Sequence, residues 1–208
     1  LMLLSVVLVG AFGCGILIGL RNSFHSVKDG INLLVDECGY PDLYAQTIDG
    51  VETSYLSYLP DDFNKEMGIK ESEYRSTYTT TFDFNNNSYS GRLIGFTKDS
   101  ITKHHIIEGE VMNDIEQEVR MEYYFAKSNG FKVGDTIKAK LPDGTVGDFK
   151  ITSTIICPEA SIVKADPYSI SSSRDFGYVY ISNKTITDHL SKKTFNEILV
   201  NFEEGKKV

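Results

Sequence analysis

The chain begins with an apolar run. Residues Leu1–Leu20 carry no charged side chain, and their apolar residues occupy every face of a helix. Twenty residues at a rise of about 1.5 Å extend roughly 30 Å, the thickness of the hydrocarbon core of a bilayer. The four glycines in the run are typical of membrane helices, where small residues allow close helix contacts. The pattern predicts a transmembrane helix over residues 1–21.

A cleavable signal peptide is the first alternative to this span. Such a peptide has a basic start, a shorter apolar core and a small-x-small cleavage site, and the basic start is absent here. Residues Ala11–Cys14 also resemble a lipoprotein cleavage box, but Gly15–Leu20 after them is apolar rather than a polar tether. The residues therefore favour a span that stays in the membrane.

A second apolar pattern follows the span, with steps of three and four residues. Its positions are Phe24, Val27, Ile31, Leu34, Val35 and Cys38. This spacing predicts an amphipathic helix, and Gly39 followed by Tyr40-Pro41 predicts its end. We expect a stalk helix over residues 22–39 that continues the span. A stiff stalk transmits displacement, whereas a flexible linker would absorb it.

From Asp42 onward the pattern predicts short strands and short helices. Runs of alternating, β-branched or aromatic residues predict strands at 42–47, 74–84, 89–96, 136–141, 148–157, 177–182 and 197–202. Asn85–Asn87 and Pro142–Thr145 predict the turns of two hairpins. Helical patterns lie within 56–68 and at 118–129 and 185–191. Without a regular βαβ repeat, these elements predict the α+β class.

The charge balance narrows the range of partners. The formal net charge is −8, although 41% of the residues are hydrophobic. An acidic surface repels phosphate backbones, so binding to nucleic acid is disfavoured. The same charge disfavours an anionic membrane surface as the main partner.

Three cysteines offer one conceivable disulfide. Cys14 lies in the apolar run, which leaves Cys38 and Cys157 as the plausible pair. No CxxC motif and no Cys/His cluster with zinc spacing is present. Two separate buried cysteines are favoured over a disulfide, because the bond requires a geometry that sequence does not reveal.

Motifs for catalysis are absent from the sequence. It has no GxxxxGK[ST] phosphate loop, no GxSxG elbow and no HExxH pair, so we expect neither ATP binding by this chain nor a catalytic, cofactor or metal site. His104 and His105 are adjacent and would point to different sides of a strand or helix, which disfavours a shared metal. The acidic pairs at 61–62 and 203–204 are typical of solvated charges.

Two further features have ordinary explanations. Glycosylation patterns at Asn86 and Asn183 are short motifs that have no weight by themselves. The aromatic side chains between Tyr74 and Phe96 could line a ligand groove, but β-propensity alone predicts them, and sheet packing is favoured.

Six segments of the chain follow one another in a recognisable order. They are Ile106–Glu110, Glu118–Met121, Phe131–Ile137, Phe149–Ile156, Phe176–Ile181 and Phe195–Val200. Behind a span and a stalk, they resemble the extracytoplasmic core domain of FtsX-like and MacB-like ABC transporter permeases. Phe131–Ile137 is similar to the "kvGDtI" pattern of that family. Glu110 and Ser153 depart from it, since the family usually has arginine and glycine there.

The resemblance implies an external core domain of two lobes at residues 40–208. A porter-like lobe would comprise about 40–84 and 192–208, and a β-rich insertion about 85–191. The end of the porter lobe and three further membrane helices would lie beyond the present C-terminus. The full protein would then be a multi-pass cell-membrane protein whose main domain is extracytoplasmic.

The resemblance also implies a function and partners. Such permeases act as dimers or paired halves with a separate cytoplasmic ATPase, whose ATP-driven closure moves the external domains by mechanotransmission. The cargo class is a lipid, lipoprotein, peptide or drug, or the movement switches a cell-wall hydrolase. This chain would then be a permease component without enzyme activity or cofactor.

Two other functions are weighed against it. A membrane-anchored sensor or binding domain of a signalling protein predicts one more span and a cytoplasmic signalling module. A permease predicts at least three more spans and an ATPase encoded nearby. An anchored hydrolase is disfavoured because the sequence offers no nucleophile or metal constellation.

Overall fold

A computed structural model describes residues 2–58, 62–110, 117–160, 171–190 and 192–205. Within these ranges the side chains at 2–9, 48–49 and 57–58 are left out of the description. Asp61 of the first acidic pair lies outside the described residues.

The N-terminal helix, α1, extends from Met2 to Cys38. It ends where the sequence predicts, because Gly39 adopts a left-handed φ of 74° and donates its N–H to the carbonyl of Val35 at 2.8 Å. From Gly10 to Leu33 every residue of α1 is exposed.

A membrane-spanning helix is not found among the described residues, since none of their helices is both long and apolar enough to cross a bilayer. The predicted span at 1–21 lies partly outside that description, which leaves out Leu1 and the side chains at 2–9.

Ten strands and three short α-helices follow α1 in the part of the chain that the structure describes, and they form the head. The strands are β1 Leu43–Glu52, β2 Ile69–Arg75, β3 Thr77–Phe84, β4 Asn87–Phe96, β5 His105–Gly109, β6 Glu118–Glu122, β7 Thr136–Lys140, β8 Val146–Ile156, β9 Phe176–Ser182 and β10 Thr194–Phe202. The helices are α2 Phe63–Glu66, α3 Tyr123–Asn129 and α4 Asn183–Asp188, and 3₁₀ turns lie at Thr53–Tyr58 and Pro158–Ala160. The predicted α+β class is confirmed.

The strands form two sheets. The smaller sheet has the order β1-β10-β2 and is antiparallel throughout. The larger has the order β5-β8-β6-β9-β4-β3-β7, and β7 also pairs with β8, so six of its strands close into a ring. The pairs β4–β9 and β6–β8 are parallel and the others are antiparallel.

The ring holds the main hydrophobic core. Its fully buried members on the described strands are Phe82, Leu93, Val119, Met121, Ile137, Ala139, Ile151, Val179 and Ile181. These residues come from strands that are distant in sequence, so the core forms only when the ring closes. Truncating one of the larger aliphatic side chains to alanine would cost about 2–5 kcal/mol.

The predicted helix at 118–129 is wrong in its first half. Residues Glu118–Glu122 form β6, because Val119 and Met121 alternate into the core and are 0% exposed. Glu122 then caps the N-terminus of α3, since its carboxylate accepts the backbone N–H of Tyr124 at 2.9 Å and of Phe125 at 2.7 Å.

The predicted strand at 74–84 is interrupted at Ser76. Ser76 donates its hydroxyl to the carbonyl of Thr194 at 2.6 Å, and its N–H goes to Oδ1 of Asn183 at 3.1 Å. The chain passes there from the smaller sheet into the larger. The lobe boundary after Phe84 stays a prediction, although β3 pairs with strands of the larger sheet.

Both predicted hairpins are present. The β3–β4 turn has positive φ at Asn85 and Asn86, 49° and 63°, as a primed hairpin turn requires. The β7–β8 turn uses Gly144 with φ of 86°.

Candidate functional site at the joint of the helix and the sheets

The C-terminal end of α1 is fixed to the head by two contacts. The carbonyl of Cys38 accepts the N–H of Lys103 at 2.5 Å, and Glu37 Oε1 lies 2.5 Å from Nδ1 of His105. Cys38 is buried. Lys103 lies just before β5 and His105 is its first residue, so these contacts attach the end of α1 to an edge strand of the larger sheet.

The loop before β5 is also tied to the smaller sheet. Glu73 on β2 accepts the hydroxyl of Ser100 and the N–H of Ile101, both at 2.7 Å. Ser100 in turn accepts the N–H of Thr97 at 3.0 Å. The loop thus connects α1 with both sheets.

Arg75 at the end of β2 is the buried centre of this joint. Its side chain is 3% exposed, and Nε donates to Oε2 of Glu197 at 2.8 Å. Its two terminal nitrogens donate to the two carboxylate oxygens of Glu159, Nη1 to Oε1 at 3.1 Å. Burial by itself lowers the pKa of Arg75, but Glu159 and Glu197 outweigh it and hold this pKa well above its usual value.

These ion pairs connect the two sheets. Arg75 and Glu197 are cross-strand partners in the smaller sheet, whereas Glu159 lies in the 3₁₀ turn that follows β8 of the larger sheet. Tyr44 donates its hydroxyl to the other oxygen of Glu197. Burial and the Glu197 carboxylate raise the pKa of Tyr44 far above its usual value, so this hydroxyl stays protonated.

His104 lies beside the ion pair in an aromatic pocket. Its ring stacks on Phe96 at 4.3 Å between centroids and meets the edge of Tyr180 at 4.2 Å. Nδ1 accepts from Nη1 of Arg120 at 3.1 Å. Burial lowers the pKa of His104 well below its usual value, and the charges of Arg120, Arg75 and Lys103 lower it further. His104 is therefore neutral at physiological pH.

One group of side chains at the joint could hold a metal. A ring nitrogen of His104, Sγ of Cys157 and a carboxylate oxygen of Glu159 lie within 4.8 Å of one another. The Cys157 sulfur lies 3.0 Å from the hydroxyl of Tyr180. Burial raises the pKa of Cys157 to about 12, and the charge of Glu159 adds to the rise.

The residues singled out in the sequence lie in different parts of the structure. His105 contacts Glu37 at the surface, whereas His104 enters the joint. Cys38 and Cys157 are both buried free thiols, and Cys14 is an exposed one. Asp62 and the pair at 203–204 are exposed.

Sequence reasoning did not find the ion pairs of Arg75. One signal was present, because Glu197 alternates with Phe195 and Leu199 and therefore shares their buried face. A carboxylate at such a position needs a buried cation. Arg75 could not be named as that cation, nor Glu159 as the second partner of Arg75, because these residues are distant from one another in sequence.

No family model and no curated protein matches this chain. It is similar to the extracellular domain of the noncanonic ABC-type transporter YknZ from Gram-positive bacteria, with a TM-score of 0.49 and 9% identity over 78% of this chain and 82% of that one. It is also similar to the periplasmic region of MacB from Actinobacillus actinomycetemcomitans, with a TM-score of 0.46 and 12% identity over 76% of this chain and 67% of that one.

Proposed function

We propose that this chain is the stalk and extracytoplasmic domain of an ABC transporter permease of the FtsX/MacB type. The N-terminal run crosses the cell membrane and continues as the stalk. A separate cytoplasmic ATPase and a second permease copy or half complete the transporter. The domain moves a lipid, lipoprotein, peptide or drug by mechanotransmission and has no catalytic role.

The observation that carries this proposal is the joint between α1 and the head. The 37 residues of α1 form one helix without an interruption, and its end is held by Lys103 and His105. A helix bound in this way transmits a displacement, because its intact backbone hydrogen bonds leave no flexible hinge between its two ends. A sensor domain on a flexible tether would need neither feature.

The two-sheet head supports the same mechanism. The ion pairs of Arg75 hold the smaller sheet to the turn after β8, and Glu73 holds the loop that receives α1. A push on the stalk therefore reaches both sheets together. The head would move as a unit rather than deform at the joint.

The test measures movement of the head, so it does not require the cargo to be known. The full-length permease with its ATPase is placed in nanodiscs, in a Cys14→Ser background. Exposed Ser128 on α3 is replaced, Ser128→Cys, and spin-labelled. The distance between the labels of the two copies should change by several Å between the ATP-bound and nucleotide-free states.

Ile31→Pro in the stalk should abolish this change, because an interior proline removes a helix hydrogen bond and kinks the helix. Ile31→Ala is the matched control and should retain it, since Ile31 is 56% exposed. A full-length gene with one further span and a signalling module would overturn the proposal in favour of a sensor. An unchanged ATP response in Ile31→Pro would overturn transmission through the stalk.

A further inference from the structure

Strand pairing brings three metal-binding side chains together at the joint. His105 lies opposite Ile156 in the β5–β8 ladder, which places the preceding His104 beside the following Cys157. Glu159 follows on the 3₁₀ turn, where Arg75 fixes its carboxylate. Their ligand atoms lie within 4.8 Å of one another, which the sequence spacing alone does not suggest.

The imidazole of His104 is incompletely satisfied. Its Nε2 atom is buried and has no hydrogen-bond partner among the described residues, whereas Nδ1 accepts from Arg120. A buried polar atom without a partner destabilises the fold, because its lost hydrogen bonds to water are not replaced. Coordination of Nε2 would remove this cost.

We propose that Nε2 of His104, Sγ of Cys157 and a carboxylate oxygen of Glu159 bind a divalent transition-metal ion of the zinc type. Imidazole, thiolate and carboxylate are the ligands that zinc takes, whereas magnesium and calcium prefer oxygen alone. Tetrahedral zinc places its ligand atoms roughly 3.5 Å apart, so ligand atoms that lie up to 4.8 Å apart have to approach one another when the metal binds. Water would take the fourth position.

Arg75, Arg120 and Lys103 place positive charge near His104, so a cation at this site depends on the negative charge of Glu159 and of the Cys157 thiolate. The bidentate pair with Arg75 uses one lone pair on each oxygen of Glu159, and each oxygen retains another. The metal takes the place of the thiol proton of Cys157, which is released to solvent. The hydroxyl of Tyr180, 3.0 Å from Sγ, can then donate a hydrogen bond to the thiolate.

Arg120 controls the tautomer of His104. An arginine only donates hydrogen bonds, so its contact with Nδ1 places the proton of the neutral ring on Nε2. Metal binding needs this proton on Nδ1 instead, and Arg120 has to release the ring. In Arg120→Gln a side-chain amide oxygen can accept the Nδ1 proton, which favours the tautomer that binds metal.

The experiment uses the whole chain in detergent, dialysed against a chelator and titrated with Zn²⁺ and with Co²⁺ as a spectroscopic probe. We expect one Zn²⁺ per chain and a sulfur-to-cobalt charge-transfer band in the near ultraviolet. Cys157→Ser should abolish the band, and His104→Ala should weaken binding at least tenfold. Arg120→Gln should strengthen it severalfold. His105→Ala changes a neighbouring histidine outside the site and should leave the charge-transfer band and the metal affinity unchanged.

Circular dichroism of each variant, compared with that of the wild type, identifies a loss of binding that comes from unfolding. If a variant unfolds, the cobalt spectrum of the wild-type chain decides whether the site binds metal. A wild-type chain without the charge-transfer band overturns the proposal. The assigned coordination is also overturned if His104→Ala and His105→Ala lose the same amount of metal affinity. Weaker metal binding by Arg120→Gln than by the wild type overturns it as well.

Discussion

Arg75 and Glu159 form a bidentate ion pair that joins two different sheets, with side chains only 3% and 14% exposed. The contact lies where the chain leaves the smaller sheet and where β8 of the larger sheet ends. Buried ion pairs are costly to break from one side, because the remaining charge stays desolvated. This pair should therefore control how firmly the sheets are joined.

Glu159→Gln tests this relationship. Arg75 would keep Glu197 but lose the charge on the other sheet, so we expect the free energy of unfolding to fall by about 2–4 kcal/mol. Denaturant unfolding followed by circular dichroism measures the change. Asp148→Asn, an exposed carboxylate on β8, is the control and should change stability by less than about 0.5 kcal/mol. Equal effects of the two variants would contradict a structural role for the pair.

The end of the stalk gives a second prediction. Gly39 has a φ of 74°, and a Cβ there would lie 2.9 Å from the carbonyl oxygen of Ile101. Gly39→Ala should lower the free energy of unfolding by about 1–3 kcal/mol, since left-handed backbone alone costs an alanine about 1–2 kcal/mol.

Gly30→Ala, inside α1, is the matched control for Gly39→Ala, which lies just after the end of α1. A Cβ at Gly30 meets nothing within 4 Å, so alanine should stabilise the helix by about 0.5–1 kcal/mol. Thermal unfolding of both variants checks the opposite signs. A stabilising Gly39→Ala would mean that the helix does not end at Cys38.

Local rules in the sequence predicted the elements whose signals are themselves local. Gly39-Tyr40-Pro41 predicted the end of α1, and the asparagines after Phe84 predicted the β3–β4 turn. Residues 118–129 were misread because alternation over five residues and helical spacing overlap in so short a segment. The deciding fact was the burial of Val119 and Met121 between distant strands.

Sequence patterns did not predict the candidate site. Arg75, Glu159 and Glu197 are joined by contacts over 84 and 122 residues, and no spacing rule links such positions. His104 was judged only against its neighbour His105. Its partners come from β4, β6 and β9, which the closed ring brings together.

The turn between β7 and β8 gives a prediction for pH. The pKa of Asp143 lies at about 2, lowered first by the hydroxyl of Thr145 and next by His189. A carboxylate whose pKa is lower in the folded state contributes stability above its unfolded pKa near 3.8 and loses it as the pH falls towards 2. NMR titration should therefore show Asp143 charged at pH 3.

Thr145→Val removes the largest of these causes, and the pKa of Asp143 should rise towards 3.8. The hydroxyl of Thr145 lies 2.6 Å from Oδ1 of Asp143, so its loss acts directly on the carboxylate. Thr136→Val at the exposed start of β7 serves as the control and should leave the pKa unchanged. A shift of the same size in both variants would exclude the assigned hydrogen bond.

The cysteines provide the last prediction. Cys38 and Cys157 are 1% and 0% exposed, and burial raises the pKa of both thiols. Since the thiolate is the reactive form, a Cys14→Ser chain at pH 8 should react with a thiol reagent at least about a hundredfold more slowly than the same chain in denaturant. Denatured protein without reductant should then release two thiols. Release of none would show that Cys38 and Cys157 form a disulfide, which would contradict the free thiols that the structure assigns to both residues.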